Sequence, residues 1–383
     1  MTRVLAGPYC TMLLGDLGAD IIKIEHPQRG DDTRSWGPPY AAHSATTSVT
    51  IDMKTKKGQD ILKELTKNVD VLVENYVPGK LAQYGLAYED LKEINPRLIY
   101  ASITGYGSTG PWREKPGYDV IIEAEAGLMH ITGEADGQPV KVGVAVTDIM
   151  TGLYTHGAIM AALISRAKNG RGQHIDASLL QTQVAALANI GSNYLVGGQE
   201  ARRWGTRHPS IAPYEVFPTR DGSICLGAGN DGQFVSLCKR LNRPELISEP
   251  RFRSNSDRVA NRKELLEILN AEFSARTTKE LLDLLEGSGL PFGPVNNIKQ
   301  TFEHPQLVAR GVVRQVDHPL VGTVSVVGPA VEYSGDTVDV RSPPPLLGQH
   351  TEEVLRQVIG YNDHQMAEAV KSGGAVLYDY GDI

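Results

Sequence analysis

Along the first half of the chain, short apolar runs alternate with longer stretches in which apolar positions recur every three or four residues. Ile21-Ile22-Lys23-Ile24, residues 70–73 and residues 97–103 have the length and apolar density of strands covered on both faces. Ile61, Leu62, Leu65 and Val69 mark one face of an intervening helix. This βα alternation predicts an α/β fold, with parallel strands in a doubly wound, Rossmann-like sheet. A long helix is predicted over 149–166, stopped by Lys168-Asn-Gly-Arg-Gly172. A strand over 173–177 and a helix over about 179–196 follow.

From residue 197 to 213 the pattern breaks into Gly197-Gly198, Arg202-Arg203, Trp204-Gly205 and His208-Pro209, which places a domain crossing there. A strand over 223–226, helices over 233–241 and 261–286 and a Gly/Pro-rich stretch over 287–294 then predict a smaller α+β domain. β-like runs over 311–316 and 324–327, a Pro343-Pro344-Pro345 turn and an amphipathic helix from Thr351 close the chain. The expected division is 1–197 for a large domain, 198–310 for an inserted small one, and 311–383 for a return to the large one. No internal repeat of 20 to 50 residues is visible.

Composition narrows the function classes. With 383 residues, 41% of them apolar, the chain can bury a sizeable core. Its net charge is −7 and it carries no basic block, which disfavours nucleic acid as a partner. Cys10, Cys225 and Cys238 are too few and too far apart for a disulfide scaffold or a metal site and suit a reducing compartment. No uninterrupted apolar run approaches the length of a membrane span, and Met1-Thr-Arg opens neither a signal peptide nor a transit helix. A soluble chain of the mitochondrion or cytoplasm, with no membrane partner, is expected.

Two segments match a bare G-x-G-x-x-G: Gly105-Tyr-Gly107-Ser-Thr-Gly110 and Gly227-Ala-Gly229-Asn-Asp-Gly232. The first runs into Pro111-Trp112 and not into a helix, and the second lies in the smaller domain, so turn glycines are the better account of both. Asp148 is more informative, being the only charge between Gly143 and His156. Two compatible readings stand open. Asp148 is the N-cap of a helix beginning at Ile149, or it is a desolvated carboxylate used as nucleophile or base. Arg113, Lys115, Tyr118 and Asp119 fill a loop suited either to solvent or to a polar ligand. The ten histidines show no H-x-x-x-H or H-E-x-x-H spacing and there is no G-x-S-x-G, so metal and serine hydrolases are disfavoured and no metal ligands are assigned.

Beyond these residues the chain resembles a family III (CaiB/BaiF-type) CoA-transferase over almost its whole length. The matching words include Val4-Leu-Ala-Gly-Pro8, Leu14-Gly-Asp-Leu-Gly-Ala19, Gly30-Asp-Asp-Thr-Arg34, Val73-Glu-Asn-Tyr76, Gly117-Tyr-Asp119, Thr147-Asp148, Gly170-Arg-Gly172, His208-Pro209 and Leu346-Leu-Gly-Gln-His-Thr351. Ser102-Ile-Thr-Gly-Tyr-Gly107, Gly127-Leu-Met-His-Ile-Thr-Gly133 and Arg203-Trp-Gly-Thr206 are similar to the branch that uses succinyl-CoA and dicarboxylic acids such as glutarate. The resemblance implies an interlocked-ring homodimer with an inserted small domain. It also implies transfer of CoA from an acyl-CoA to a small carboxylic acid through mixed anhydrides and an aspartyl-CoA thioester on Asp148. Coenzyme A enters as part of a substrate, and no permanently bound cofactor is implied. Val4, Leu5, Ala6, His26, Asn75, Tyr76, Lys115, Tyr118 and Asp119 are expected along the CoA channel, with Arg29, Lys54 and Lys115 as the cations its phosphates need. Arg203, Arg207 and His208 are candidates for the acceptor's distal carboxylate.

Racemases of similar sequence take an α-proton with the histidine of a Gly-His-Asp word; here Gly117-Tyr118-Asp119 has tyrosine, which removes that base and leaves the racemase as the alternative. Members of the family carry a strand ahead of Val4 and a longer aromatic and basic stretch between Trp36-Gly-Pro-Pro39 and Ile51-Asp-Met-Lys54. Their shortening here implies weakened CoA binding, with an acyl-CoA-binding remnant as the second alternative.

Overall fold

The structure, a computed structural model, describes residues 1–36 and 47–381, so most of the shortened stretch after Trp36 lies outside the described residues. The predicted parallel strands form, in two groups. β1 (Ile22–Glu25) pairs in parallel with β2 (Thr47–Thr50), Ile22 opposite Thr47. β3 (Val71–Glu74), β4 (Ile99–Thr104) and β5 (Gln173–Ser178) form the second group, also parallel, with Glu74 opposite Ser102 and Ser102 opposite Asp176. Among the described residues no ladder joins the groups into one doubly wound sheet. Arg3, next to the end of β3, is held by a side chain instead of by strand pairing: Asn75 accepts its N–H at 2.9 Å and donates to its C=O at 2.7 Å.

The helices that position the site are α1 (Ala6–Asp16), α2 (Lys56–Asn68), α3 (Asp119–Glu125), α4 (Val146–Asn169), α5 (Leu179–Ala186) and α6 (Ala188–Gly197). All six residues of β4 are buried. Its alternation sends Tyr100, with Leu98, into a core with Ile61, Leu62 and Leu65 of α2, and Ala101 and Ile103 into another with α1 and Ile159 of α4. An apolar run without alternation is what a strand covered on both faces requires. The single helix expected over 179–196 is two helices, separated at Leu187 and Ala188, where Ala188 takes φ +49°.

The chain divides into two units. Met1–Met129, Lys141–Glu200 and Arg310–Ile383 make the first, His130–Val140 and Ala201–Ala309 the second. The crossing thus lies at Glu200, and a short segment expected in the large domain belongs to the second unit. There Arg203 donates to the His130 carbonyl at 2.7 Å and Gly205 N–H to the Gly133 carbonyl at 3.0 Å. The second unit has an antiparallel sheet of β6 (Tyr214–Pro218), β7 (Ser223–Gly227) and β8 (Phe292–Pro294). Helices α7 (Asp231–Arg240), α8 (Arg262–Ser274) and α9 (Thr278–Leu285) close its core, in which Phe217 and Phe273 stack at 4.7 Å. The chain then returns through a hairpin, β9 (Val313–His318) and β10 (Gly322–Val327), to α10 (Thr351–Gln357) and α11 (Asp363–Lys371). Val354, Leu355, Met366 and Ala369 of these last helices complete the core around α2.

Candidate active site

Asp148 lies in the first turn of α4, which begins at Val146 and not at Ile149, so it is not the N-cap. The capping acceptor comes from another element. Asp119, the first residue of α3, accepts the N–H of Thr147 at 2.8 Å and of Asp148 at 3.1 Å, both at Oδ1. Two of the amides that a helix start leaves free are thereby satisfied, and the Asp148 side chain is released from the task. Its carboxylate accepts no hydrogen bond among the described residues. Burial, with the Asp119 charge adding to it, pushes the Asp148 pKa from 3.8 up to about 7. That rise corresponds to about 4 kcal/mol, whereas a helix N-terminus favours a carboxylate by about 0.3–1 kcal/mol. Burial therefore wins, and the acid is held on the edge of ionisation at neutral pH.

Packing fixes where this turn sits. Thr147 Oγ1 donates to Gln183 of α5 at 2.7 Å, and Thr151 and Thr155 each donate to the carbonyl one turn earlier at 2.7 Å. Gly152, one turn along α4 from Asp148, meets α1 backbone to backbone: a Cβ there would lie 2.9 Å from the Ala6 carbonyl oxygen. Only glycine permits that approach. Just ahead of Ala6, Val4 holds φ +65°, a strained setting for a β-branched residue, and its N–H donates to Asp31 Oδ1 at 3.1 Å. Ala6 and the turn of α4 that follows Asp148 are thus brought together.

A second acid on α3 had no place in the sequence analysis. Glu123 is completely buried; its Oε2 accepts the Val142 N–H at 3.0 Å, and its Oε1 has no partner among the described residues. Burial raises its pKa, the Val142 amide pulls the other way, and the Asp119 charge raises it further. Two acids four residues apart on one helix face were the signal available in the sequence.

Past the C-terminal end of β1 a cleft opens to solvent. Arg3, His26, Arg29, Lys54, Tyr76 and Lys80 are among its lining residues. Among the described residues Arg29 and Lys54 form no ion pair, which leaves two cations for an anionic ligand.

A family model described as CoA-transferase family III matches residues 1–351. The chain belongs to this family. It is 52% identical over 382 residues to the human succinyl-CoA:glutarate CoA-transferase, covering 97% of this chain and 87% of the human protein. It is 42% identical over 373 residues to the succinate–glutarate CoA-transferase of Agrobacterium fabrum (strain C58 / ATCC 33970), covering 94% and 93%. A solved CaiB/BaiF family protein from Brucella suis is similar in fold, with a TM-score of 0.86 at 41% identity, covering 94% of this chain and 97% of that one. The chain is therefore an enzyme, a CoA-transferase with the α/β fold and parallel sheets of those structures.

The positions expected to hold CoA in this CoA-transferase fall into separate places. His26, Arg29, Lys54 and Tyr76 line the cleft, and Asn75 stands behind it, clasping Arg3. Val4, Leu5 and Ala6 lead from the cleft to α4. Lys115 is already engaged: it pairs with Glu125 at 2.6 Å and lies over Trp112 at 4.4 Å and Tyr106 at 5.0 Å. Tyr118 is exposed and Asp119 caps α4. Arg203, Arg207 and His208 lie in the second unit, where Arg203 bonds His130, Arg207 sits 4.0 Å from Glu215 and His208 stacks on Tyr214 at 5.4 Å. Arg3, Lys80 and Glu123 are the additions that sequence reasoning missed.

Proposed function

We propose that this enzyme moves CoA from a dicarboxylic acyl-CoA, succinyl-CoA, to a second dicarboxylic acid such as glutarate, with Asp148 as nucleophile. The Asp148 carboxylate adds to the thioester carbonyl, and CoA thiolate leaves as the mixed anhydride forms. The thiolate attacks the Asp148 carbonyl of that anhydride, releasing the donor acid and leaving an aspartyl-CoA thioester. The acceptor carboxylate attacks this thioester and expels the thiolate again. The thiolate then takes the acceptor's acyl carbon and regenerates the Asp148 carboxylate. Each difficult exchange is split into steps with a better leaving group.

The observation that carries this reading is the Asp148 carboxylate itself, desolvated, free of hydrogen bonds among the described residues and one turn of α4 before the glycine that meets Ala6. A carboxylate stripped of water is a stronger nucleophile, and the same dryness protects the anhydride from hydrolysis. The cleft suits the phosphate-bearing end of CoA, with Arg29 and Lys54 free to meet anionic oxygens. Residues 3–6 run from its wall toward α4, a path for the thiol-bearing arm along Val4, Leu5 and Ala6. Asn75, Tyr76 and His26 border that route; Lys115 and Tyr118 join it from the loop before α3. A second copy of the chain is supported by α6, which buries none of its residues and leaves Leu195 83% and Val196 90% exposed. Coenzyme A serves as a substrate, and no resident cofactor takes part in these steps.

The test is to incubate the enzyme with succinyl-CoA, reduce with borohydride or trap with hydroxylamine, and locate the modification by mass spectrometry. Modification of Asp148, absent from Asp148→Ala, is expected. Modification elsewhere, or glutarate-dependent turnover in the alanine variant, overturns the reading.

A further inference from the structure

We infer that Glu123 is a positioning residue for this reaction: as a neutral carboxyl it donates the proton on Oε1 to Asp119 and so holds Asp119 on the amides that open α4. The inference rests on the reading of Asp148 as nucleophile. Glu123 is completely buried, one oxygen is taken by the Val142 N–H at 3.0 Å, and the other has no partner among the described residues. Asp119 stands one turn earlier on the same helix face, within hydrogen-bonding reach of it. An orphaned carboxylate oxygen facing a second carboxylate carries a desolvation cost and a like-charge cost together. One proton between them removes both.

The proton belongs on Glu123. Asp119 is already committed as an acceptor to the two backbone amides that open α4. Glu123 has one amide and full burial, and both burial and the Asp119 charge raise its pKa. The charged groups that face it are Asp119 from its own helix and Lys141 from the segment leading into α4, with Asp148 on α4 beyond Asp119. The packed helix α5 brings Gln181 and Gln183 and no titratable side chain.

The consequence for Asp148 is electrostatic as well as geometric. With Glu123 neutral, a single negative charge, that of Asp119, stands beside the nucleophile. Ionised, Glu123 repels Asp119 from the α4 amides, freeing the turn that carries Asp148. Exchange therefore falls on the acid side as Asp148 is protonated and on the alkaline side as Glu123 loses its proton, a bell-shaped profile.

Glu123→Gln keeps the shape, accepts from Val142 through its amide oxygen, donates to Asp119 through its amide nitrogen and has no proton to lose. It is expected to keep exchange between succinyl-CoA and glutarate within about threefold of wild type at the optimum and to lose the alkaline limb while keeping the acid one. Glu123→Ala, with no donor, is expected to lose about 10- to 100-fold in exchange, the scale of a small misplacement at a reacting centre, and to slow borohydride-trapped modification of Asp148 alike. Wild-type and glutamine profiles that superimpose wherever both stay folded overturn the inference, whether or not the alanine variant folds. Failure of the underlying reading looks different: wild type then shows no modification of Asp148 at all.

Discussion

In the second unit Arg258 is wholly buried and its guanidinium is fully engaged: Nε donates to the Ala212 carbonyl at 2.8 Å, Nη1 to the Phe252 carbonyl at 3.0 Å and Nη2 to Asp231 at 2.7 Å, over the face of Phe234 at 4.4 Å. At the opening of α4 in the first unit the buried charge is arranged the other way. Among the described residues Asp119 is spent on backbone amides, Glu123 keeps an oxygen without a partner, and Asp148 has a half-buried carboxylate with no hydrogen bond and an acid as its neighbour. Buried charge is costly in both places. Where each donor meets an acceptor, the charge ties segments together; where it is left unmet, the protein holds a group poised to react. Satisfaction, and not burial, separates a charge that ties segments together from the carboxylate proposed as the nucleophile.

The sharpest way to break this contrast is to neutralise Asp148. Asp148→Asn is expected to lower exchange by roughly 10⁴-fold or more, the scale on which loss of a covalent nucleophile acts, and at the same time to stabilise the chain at alkaline pH. Its folded pKa, near 7, stands above the unfolded value of 3.8. Between those values the folded state holds a proton that the unfolded state has released, so wild-type stability falls as pH rises from about 4 to 7 and stays reduced above. The asparagine escapes that loss. Urea midpoints should give it about 1–3 kcal/mol over wild type at pH 8 and no advantage at pH 4. A variant less stable than wild type at pH 8 would place Asp148 with the fold-holding charges. Arg258→Met is the mirror image. Asp231 is exposed enough to recover water, but the Ala212 and Phe252 carbonyls are left without donors, and a loss of about 2–5 kcal/mol is expected. That loss should be flat across neutral pH because a guanidinium does not titrate there. A methionine variant as stable as wild type would remove the contrast.

What the sequence made legible follows the same line. Strands β3, β4 and β5 appear within a residue or two of their predicted spans, because a strand covered on both faces leaves an apolar signal that local reading detects. Asp148 stood out for a related reason, as one charge in an apolar run. The start of α4 was misplaced because its capping acceptor, Asp119, lies 29 residues earlier in the chain and is supplied by tertiary structure. Glu123 passed unnoticed because the group that fixes it, the Val142 N–H, is backbone and carries no residue-type signal. The break between α5 and α6 was equally hidden: the stretch from Leu179 to Val196 contains no proline, and the turn falls at Leu187 and Ala188, two good helix formers. The family resemblance supplied the substrate class, which no periodicity contains.

The smallest effect compares like with like. Arg29 has the side chain of Arg258 but stands exposed at the cleft with no ion pair among the described residues. Its loss opens no cavity and strands no buried carbonyl, so Arg29→Gln is expected to leave the urea midpoint within about 0.5 kcal/mol of wild type. What it removes is one charge from the wall assigned to the phosphates of CoA. An exposed pair of this kind is worth about 1 kcal/mol at most, roughly fivefold in affinity, so the KM for succinyl-CoA should rise by about that factor at low ionic strength. Raising the salt screens the contact in wild type and has less left to screen in the variant, so the two KM values should converge. A fivefold difference that persists in high salt would mean that Arg29 is desolvated when CoA binds, and would move it toward the buried class that Arg258 represents.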